Sequence, residues 1–325
     1  MAGTVHLIPV PTPFAVGNVN CYLVDDDPLT LVDTGPNSGT ALTALEQGLA
    51  GHGRRVEDLE RIVLTHQHID HIGLAQILAD RSGAEVWTLA ALAPWLAAYG
   101  QEMEADDVFA ESLMLRHGVP KDVAIALRAI VSQVRAWGNA VRVTHLLQDG
   151  DVLAFAGRSW TAHHRPGHSP SDTVFHDEAS GELIAGDHLI RHISSNPTIS
   201  RPLDGSTPKR HPRTLIGYLD SLRATAAMDL TVLLPGHGEP FTEYRALIDD
   251  RIAMHERRAE KIAAMVAEHG PLSAYDIAQR MWGNVALTQA YLTLSEVLGH
   301  IDLLLDRGQV AEDEQDGVVR FSAPA

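Results

Sequence analysis

The chain has 325 residues, 45% of them hydrophobic, which is enough for one large α/β domain with a sizeable core and a smaller second domain. Its formal net charge of −17, from 25 Lys and Arg against 42 Asp and Glu, comes without any basic run, and so argues against a protein that grips nucleic acid by its phosphates. No unbroken apolar stretch approaches a membrane span, the opening residues lack a signal-peptide pattern, and the lone Cys21 excludes an internal disulfide, so a soluble, cytoplasmic protein without a membrane partner is expected.

In chain order, residues 5–9, 20–25 and 29–33 read as short strands, the last running into the turn Asp33-Thr34-Gly35. Cys21 falls in the second strand and reads as core. Ala41, Leu42, Leu45 and Leu49 recur at helical spacing and predict a helix over 38–49. A strand at 61–64, a helix at about 72–80 and a strand at 85–88 follow. The segment 90–141 interrupts this alternation. Leu92, Trp95, Leu96 and Tyr99 recur at helical spacing, as do Val123, Leu127, Ile130, Val134 and Trp137, and such stripes read first as core packing. Strands resume near 151–155, 159–163, 173–176 and 182–185, then a helix at 212–227 and a strand at 231–234.

A helix over 242–269, stopped by Gly270-Pro271, leads into a C-terminal domain, which divides the chain into 1–245 and 246–325. Ser273-Ala274-Tyr275-Asp276 has the form of a capping box, residues 287–305 form a longer apolar helix, and Asp316-Gly317 marks the turn of a terminal hairpin. Helices followed by a hairpin resemble a winged-helix domain. From Pro271 onward, however, the charge is −5, with Arg280, Arg307 and Arg320 the only basic residues. That balance repels phosphates and favours a packing role or a homodimer contact.

The chemistry sits at the strand ends. Thr65-His66-Gln67-His68-Ile69-Asp70-His71 follows the apolar run 61–64 and concentrates four metal-ligand side chains in six residues. His66 and His68, two apart, converge on one ion as the chain leaves its strand, while Asp70 and His71 in the next turn face a second position. Downstream, His168 follows Pro166-Gly167, Asp187 follows Gly186, and His237 follows Pro235-Gly236, each where a tight turn can aim a ligand. No Gly-x-Ser-x-Gly elbow is present, and a core cysteine makes a poor case for a covalent nucleophile.

With Asp33, this ordered set resembles the metallo-β-lactamase superfamily over roughly residues 5–245. The resemblance implies an αββα sandwich. It also implies that His66, His68 and His168 hold a first metal and that Asp70, His71 and His237 hold a second, with Asp187 bridging them. Asp33 orients a ligand or bound water, and Asp70, beside the water, accepts or passes its proton. The tail, together with His255-Glu256-Arg257-Arg258 on the connecting helix, is similar to the β-lactamase-like-protein-2 branch, which includes thioesterases and an endoribonuclease. In such relatives a helical insertion like 90–141 often walls the active site, here as an apolar surface for an acyl group.

Two divalent ions, Zn²⁺ first and Fe or Mn as alternatives, are thus expected as cofactors. The expected function is hydrolysis, by a metal-bound hydroxide, of a small acyl substrate: a thioester, ester or lactone. The alternatives are a metal-dependent endoribonuclease and a mononuclear iron oxidoreductase of the same fold. His163, His164, His188 and His192 read as structural or surface residues, with His192 the best of them for a substrate contact.

Overall fold

The computed structural model, which describes residues 3–208 and 210–324, pairs its first six strands in chain order: β1 (Thr4–Val10), β2 (Val19–Asp25), β3 (Thr30–Val32), β4 (Arg61–Val63), β5 (Glu85–Leu89) and β6 (His145–Leu147). The first three are joined antiparallel; β3 to β6 run parallel and therefore need crossovers. Helix α1 (Gly39–Gly51) makes the first crossover, capped by Ser38 accepting from the amide of Ala41 and burying Ala41, Leu45 and Leu49. The short α2 (Ile69–Ile72) and α3 (Ala75–Ser82) make the next. A second sheet has the order β11 (Val232–Pro235), β10 (Glu182–Gly186), β9 (Thr173–Asp177), β8 (Ser159–His164), β7 (Val152–Ala154).

The two sheets meet through one apolar cluster: Tyr22, Val24, Val32 and Val63 from the first, and Leu153, Trp160, Ala162, Phe175, Ile184 and Leu234 from the second. Strand alternation sends Cys21, Leu23, Leu31 and Ile62 to the opposite face, where they are also fully buried. Cys21 is thus core, and burial pushes its thiol well above the ordinary range.

Register decides where functional side chains can gather. Val32 pairs with Val63 in parallel, so Asp33 and the 65–71 turn leave adjacent strand ends. Gly186 pairs with Pro235 in parallel, so Asp187 and the Gly236-His237 turn leave adjacent ends of the second sheet. Strand β8 is antiparallel to β9, as β10 is, and delivers His168 to the same end.

The chain divides into two compact units. The first comprises residues up to Met103, Val134–Ser195 and Ala226–Tyr244, and holds both of these sheets; the second comprises Glu104–Gln133, Asn196–Thr225 and Arg245 onward. Sequence reading divides the chain once, at 245. The structure groups 104–133 and 196–225 with the C-terminal residues because Leu113, Met114, Val119, Ala124 and Ile199 are buried in one core with Ile262, Leu294 and Ile301.

The segment 90–141 is accordingly shared out. Leu92, Trp95, Leu96 and Tyr99 are buried in the first unit, whereas Val123 and Leu127 pack on the core of the second and Ile130 is exposed. Leu92 to Tyr99 therefore offer no surface to an acyl group, a correction to the expected apolar wall; of these stripes Val134 and Trp137 are half-buried in the first unit.

In the second unit Ser273 and Asp276 form a reciprocal capping box at the start of a helix, Ala274–Trp282. A longer helix, Ala290–Asp306, follows, then a hairpin of Ala311–Gln315 and Val318–Ser322. Its turn residues Asp316 and Gly317 both have positive φ, 51° and 78°, as a two-residue hairpin turn requires. Among the described residues no helix is long and apolar enough to cross a membrane.

Candidate metal centre

Asp33 is the anchor of the site. Its φ of 58° is left-handed, a conformation uncommon outside glycine. The bend turns its carboxylate onto the next strand end, where Oδ1 accepts from the Thr65 amide at 2.9 Å and Oδ2 from the Thr65 hydroxyl at 2.8 Å. The same Oδ2 lies 2.7 Å from His71 Nδ1. Because a carboxylate only accepts, the His71 proton sits on Nδ1 and its Nε2 points into the site.

The same logic fixes two more rings. The Thr65 hydroxyl gives its proton to Asp33, so at 2.9 Å it accepts from His66 Nδ1, leaving His66 Nε2 as a bare lone pair. His237 Nδ1, 2.7 Å from the Asn18 carbonyl, must donate, which leaves its Nε2 free. A partner on one ring nitrogen that aims the other is the usual arrangement around histidine metal ligands.

The aimed atoms form two groups. His66 Nε2 lies 3.1 Å from His68 Nδ1, His168 Nε2 lies 2.8 Å from that same nitrogen, and Asp187 Oδ2 is 3.5 Å from His168 Nε2. In the second group His237 Nε2 is 3.3 Å from Asp70 Oδ2, and His71 Nε2 is 3.4 Å from Asp187 Oδ1. Asp187 Oδ2 is also 3.5 Å from His237 Nε2, so this carboxylate touches both groups. All seven side chains singled out in the sequence are thus brought together, with Asp33 behind them.

A metal suits these residues on their own chemistry. The Nε2 atoms of His71 and His237 and Asp187 Oδ1 are buried without a hydrogen-bond partner among the described residues, a costly state for polar groups. Ligands about 2 Å from a tetrahedral ion lie roughly 3.3 Å apart, the range seen here. Charge points the same way. Burial lowers His66 well below its usual range and His68 to about 3, so both stay neutral and able to coordinate. Burial alone would lower His71 and His237 too, but Asp187, with Asp33 for the former and Asp70 for the latter, raises His71 well above its ordinary value and His237 to about 9. This half of the site demands positive charge. Gly236 is required for the approach, since a Cβ there would fall 2.2 Å from Asp187 Oδ1.

The other histidines take separate places. His164 Nε2 donates to the Pro170 carbonyl at 2.9 Å, and His163 and His176 face each other across their strands. His188 is fully buried and pushed down to about 3 by burial, Arg165 and His168. His192 is exposed, and its Nδ1 is 2.7 Å from where a Cβ at Gly238 would stand, which sets its ring beside the turn carrying His237. A further cluster, His255, Glu296 and His300, lies in the second unit. There His300 Nδ1 donates to the Glu296 carbonyl at 2.6 Å, His255 Nδ1 donates to His300 Nε2 at 3.1 Å, and Arg258 pairs with the Glu296 carboxylate. Hydrogen bonds thus occupy both His300 nitrogens and His255 Nδ1, while His255 Nε2 is buried without a partner among the described residues.

Thr65, Gln67, Ser169, Ser171 and Asp172 are not singled out by sequence reading, although all five are buried next to the ligands. For Ser169, Ser171 and Asp172 the signal is the run of small polar residues directly after His168.

The sequence pattern of the metallo-beta-lactamase superfamily matches residues 15–237. The chain belongs to this superfamily. Within it, the probable metallo-hydrolase YqjP of Bacillus subtilis is 36% identical over 298 residues, 91% of each chain. The hydroxyacylglutathione hydrolase GloC of Haemophilus influenzae is 26% identical over 193 residues, covering 58% of this chain and 72% of its own. The crystal structure of the superfamily protein TTHA1429 from Thermus thermophilus superposes with a TM-score of 0.80 at 27% identity, over 98% of both chains. Members of this superfamily typically bind divalent metals, and the two His and Asp groups described above are the candidates to hold them here.

Proposed function

We propose that the protein is a dinuclear hydrolase of small acyl substrates: thioesters, esters or lactones. As a superfamily member it is a metal-dependent hydrolase; the ion count, the ions and the substrate class are what is proposed. His66, His68 and His168 would hold one ion, Asp70, His71 and His237 the other, and Asp187 would reach both. Zn²⁺ is the proposed ion because this His and Asp set suits it, with iron or manganese as the other outcomes of metal analysis. The observation that carries the reading is Asp187, whose Oδ2 is 3.5 Å from both His168 Nε2 and His237 Nε2.

Bound divalent ions supply Lewis acidity and a nucleophile from water near neutral pH. The remaining work falls to the chain. Burial tends to raise the Asp70 carboxyl, but His237, whose Nε2 lies 3.3 Å from its Oδ2, and His71 outweigh this and hold it below the ordinary range. Asp70 is therefore an ionised carboxylate, suited to take up the proton of the attacking water. Asp33 keeps His71 and, through Thr65, His66 in the tautomers that present Nε2.

For the acyl portion we assign Phe14 and Trp137, two half-buried rings packed edge to face at 5.4 Å. Phe14 belongs to the loop whose Asn18 carbonyl holds His237, and the Trp137 carbonyl accepts from Asn37 N at 2.7 Å. His192, beside the turn that carries His237, is assigned to the leaving group. The name of GloC, a hydroxyacylglutathione hydrolase, supports an acyl substrate. The charge of −17 disfavours a polyanion.

The test is a hydrolysis screen of metal-loaded protein across thioesters, lactones and short RNAs. At least one acyl substrate should be turned over with kcat/KM on the order of 10⁴ M⁻¹s⁻¹, changing only modestly with salt. RNA cleavage that falls steeply with salt, without acyl hydrolysis, would overturn the assignment.

A further inference from the structure

His66 and His68 leave the first sheet after β4, whereas His168 leaves the second after β8. Three ring nitrogens within 2.8 to 3.1 Å of their neighbours are therefore supplied by two sheets, and a slight slip of one turn would part them. His168 is the vulnerable member. His66, His71 and His237 each have a partner on the second ring nitrogen, but His168 Nδ1 is buried without one among the described residues. Its aim depends on the turn that carries it.

That turn is braced in a specific way. Ser169 donates its amide to Asp172 Oδ2 at 2.9 Å and its hydroxyl to Asp172 Oδ1 at 2.7 Å. Ser171 N donates to Ser169 Oγ at 3.2 Å, and Arg165 N to the Asp172 carbonyl at 2.7 Å, so the loop is closed upon itself around His168. Ser171 then reaches across to the other sheet. Its hydroxyl accepts from Gln67 N at 3.2 Å and donates to Gln67 Oε1. Gln67 stands between His66 and His68 in the chain, and both partners are buried. A backbone bond from Thr173 N to the Thr65 carbonyl, 3.0 Å, runs alongside.

We propose that Ser171 and Gln67 form a clamp that sets His168 against His66 and His68, and so fixes the affinity of that one metal group. The proposal rests on the ligand assignment above. Neither residue donates to or accepts from a ligand side chain; both are positioning residues. Bonds that merely satisfy buried polar groups would, when broken, cost stability without distinguishing one metal group from the other.

The experiment is Zn²⁺ titration of metal-free protein against a chromophoric chelator, for wild type, Ser171→Ala and Ser171→Thr, with melting temperature measured in parallel. Loss of such a supporting partner weakens a bound metal by about 10- to 100-fold. Ser171→Ala should weaken one ion by that factor and leave the other unchanged, and Ser171→Thr, which keeps the hydroxyl, should restore it. Gln67→Met, which removes the acceptor at similar length, should give the same selective loss and stands in if Ser171→Ala does not fold. Unchanged affinities, or equal loss at both ions in step with melting temperature, would overturn the clamp. Wild type that binds one Zn²⁺ contradicts the dinuclear reading instead; the clamp then stands only if Ser171→Ala weakens that ion.

Discussion

Asp33 Oδ2 accepts the Nδ1 proton of His71 at 2.7 Å, and it does so from a left-handed backbone conformation with φ 58°. The strained residue and the aimed imidazole are thus one device. Asp33→Ala should weaken metal binding by about 10- to 100-fold, because His71 loses the partner that fixes its tautomer and Thr65 loses the acceptor that orients it toward His66. A chelator-competition titration reads this directly, and an unchanged affinity would remove Asp33 from the site.

Metal uptake should release protons. His237 is raised to about 9 where burial is outweighed by Asp187 and Asp70, so metal-free protein carries a proton there at neutral pH that an ion must displace. Calorimetry at pH 7.5 in buffers of different ionisation enthalpy should show net proton release, vanishing well above pH 9. Without metal, the raised value also stabilises the fold. That contribution is complete below the unfolded value of about 6.5 and is lost as pH rises through about 9. Chelator-treated protein should therefore melt at lower temperature as pH climbs from 7 to 9, and a flat profile would contradict the assignment.

The opposite sign holds in the second unit. Burial, with His211 and Arg116 nearby, pushes His117 down to about 3, and burial pushes His255 to about 4. Both bind protons more readily when unfolded, so their stability contribution is present above about 6.5 and lost as pH falls toward the folded values. Melting temperature should drop between about pH 6.5 and 4. His117→Phe, a ring that can keep the parallel stacking on Phe321, should flatten that slope, and an unaltered slope would show that His117 is not responsible.

Between the sheets, Trp160 is 1% exposed and packs in the cluster with Phe175 and Ile184, yet its indole Nε1 has no hydrogen-bond partner among the described residues. Trp160→Ala should cost about 3–5 kcal/mol in denaturant unfolding. Trp160→Phe should cost about 1 kcal/mol or less, since the smaller ring discards an unsatisfied donor. Equal costs for the two would mean that the donor is satisfied in solution.

The candidate ligands were legible in the sequence because imidazoles and carboxylates beside glycines at strand ends have no packing explanation. Their supports were not legible. Thr65, Gln67 and Ser171 are ordinary polar residues, and only the pairing of two sheets brings Ser171 to Gln67. The strand His145–Leu147 escaped for a local reason: two of its three residues are exposed, so it has no alternating apolar pattern. Helix Tyr99–Arg116 joins the stripes around it without presenting a clear one of its own. The division of 90–141 between two cores depends on residues more than a hundred positions away, since Leu113 and Met114 share one core with Leu294 and Ile301, which no local periodicity encodes.

The central claim is that these side chains build two adjacent metal sites, and elemental analysis of the purified protein beside its hydrolytic activity tests it most directly. Seven ligands are too many for one four-coordinate ion, so about two metals per chain are expected. The His255 cluster should add no third, because both His300 nitrogens are already in hydrogen bonds and Arg258 pairs with the Glu296 carboxylate. His68→Ala and Asp187→Ala should abolish hydrolysis while retaining the fold by circular dichroism. A wild-type content near one ion per chain with full activity would contradict the account.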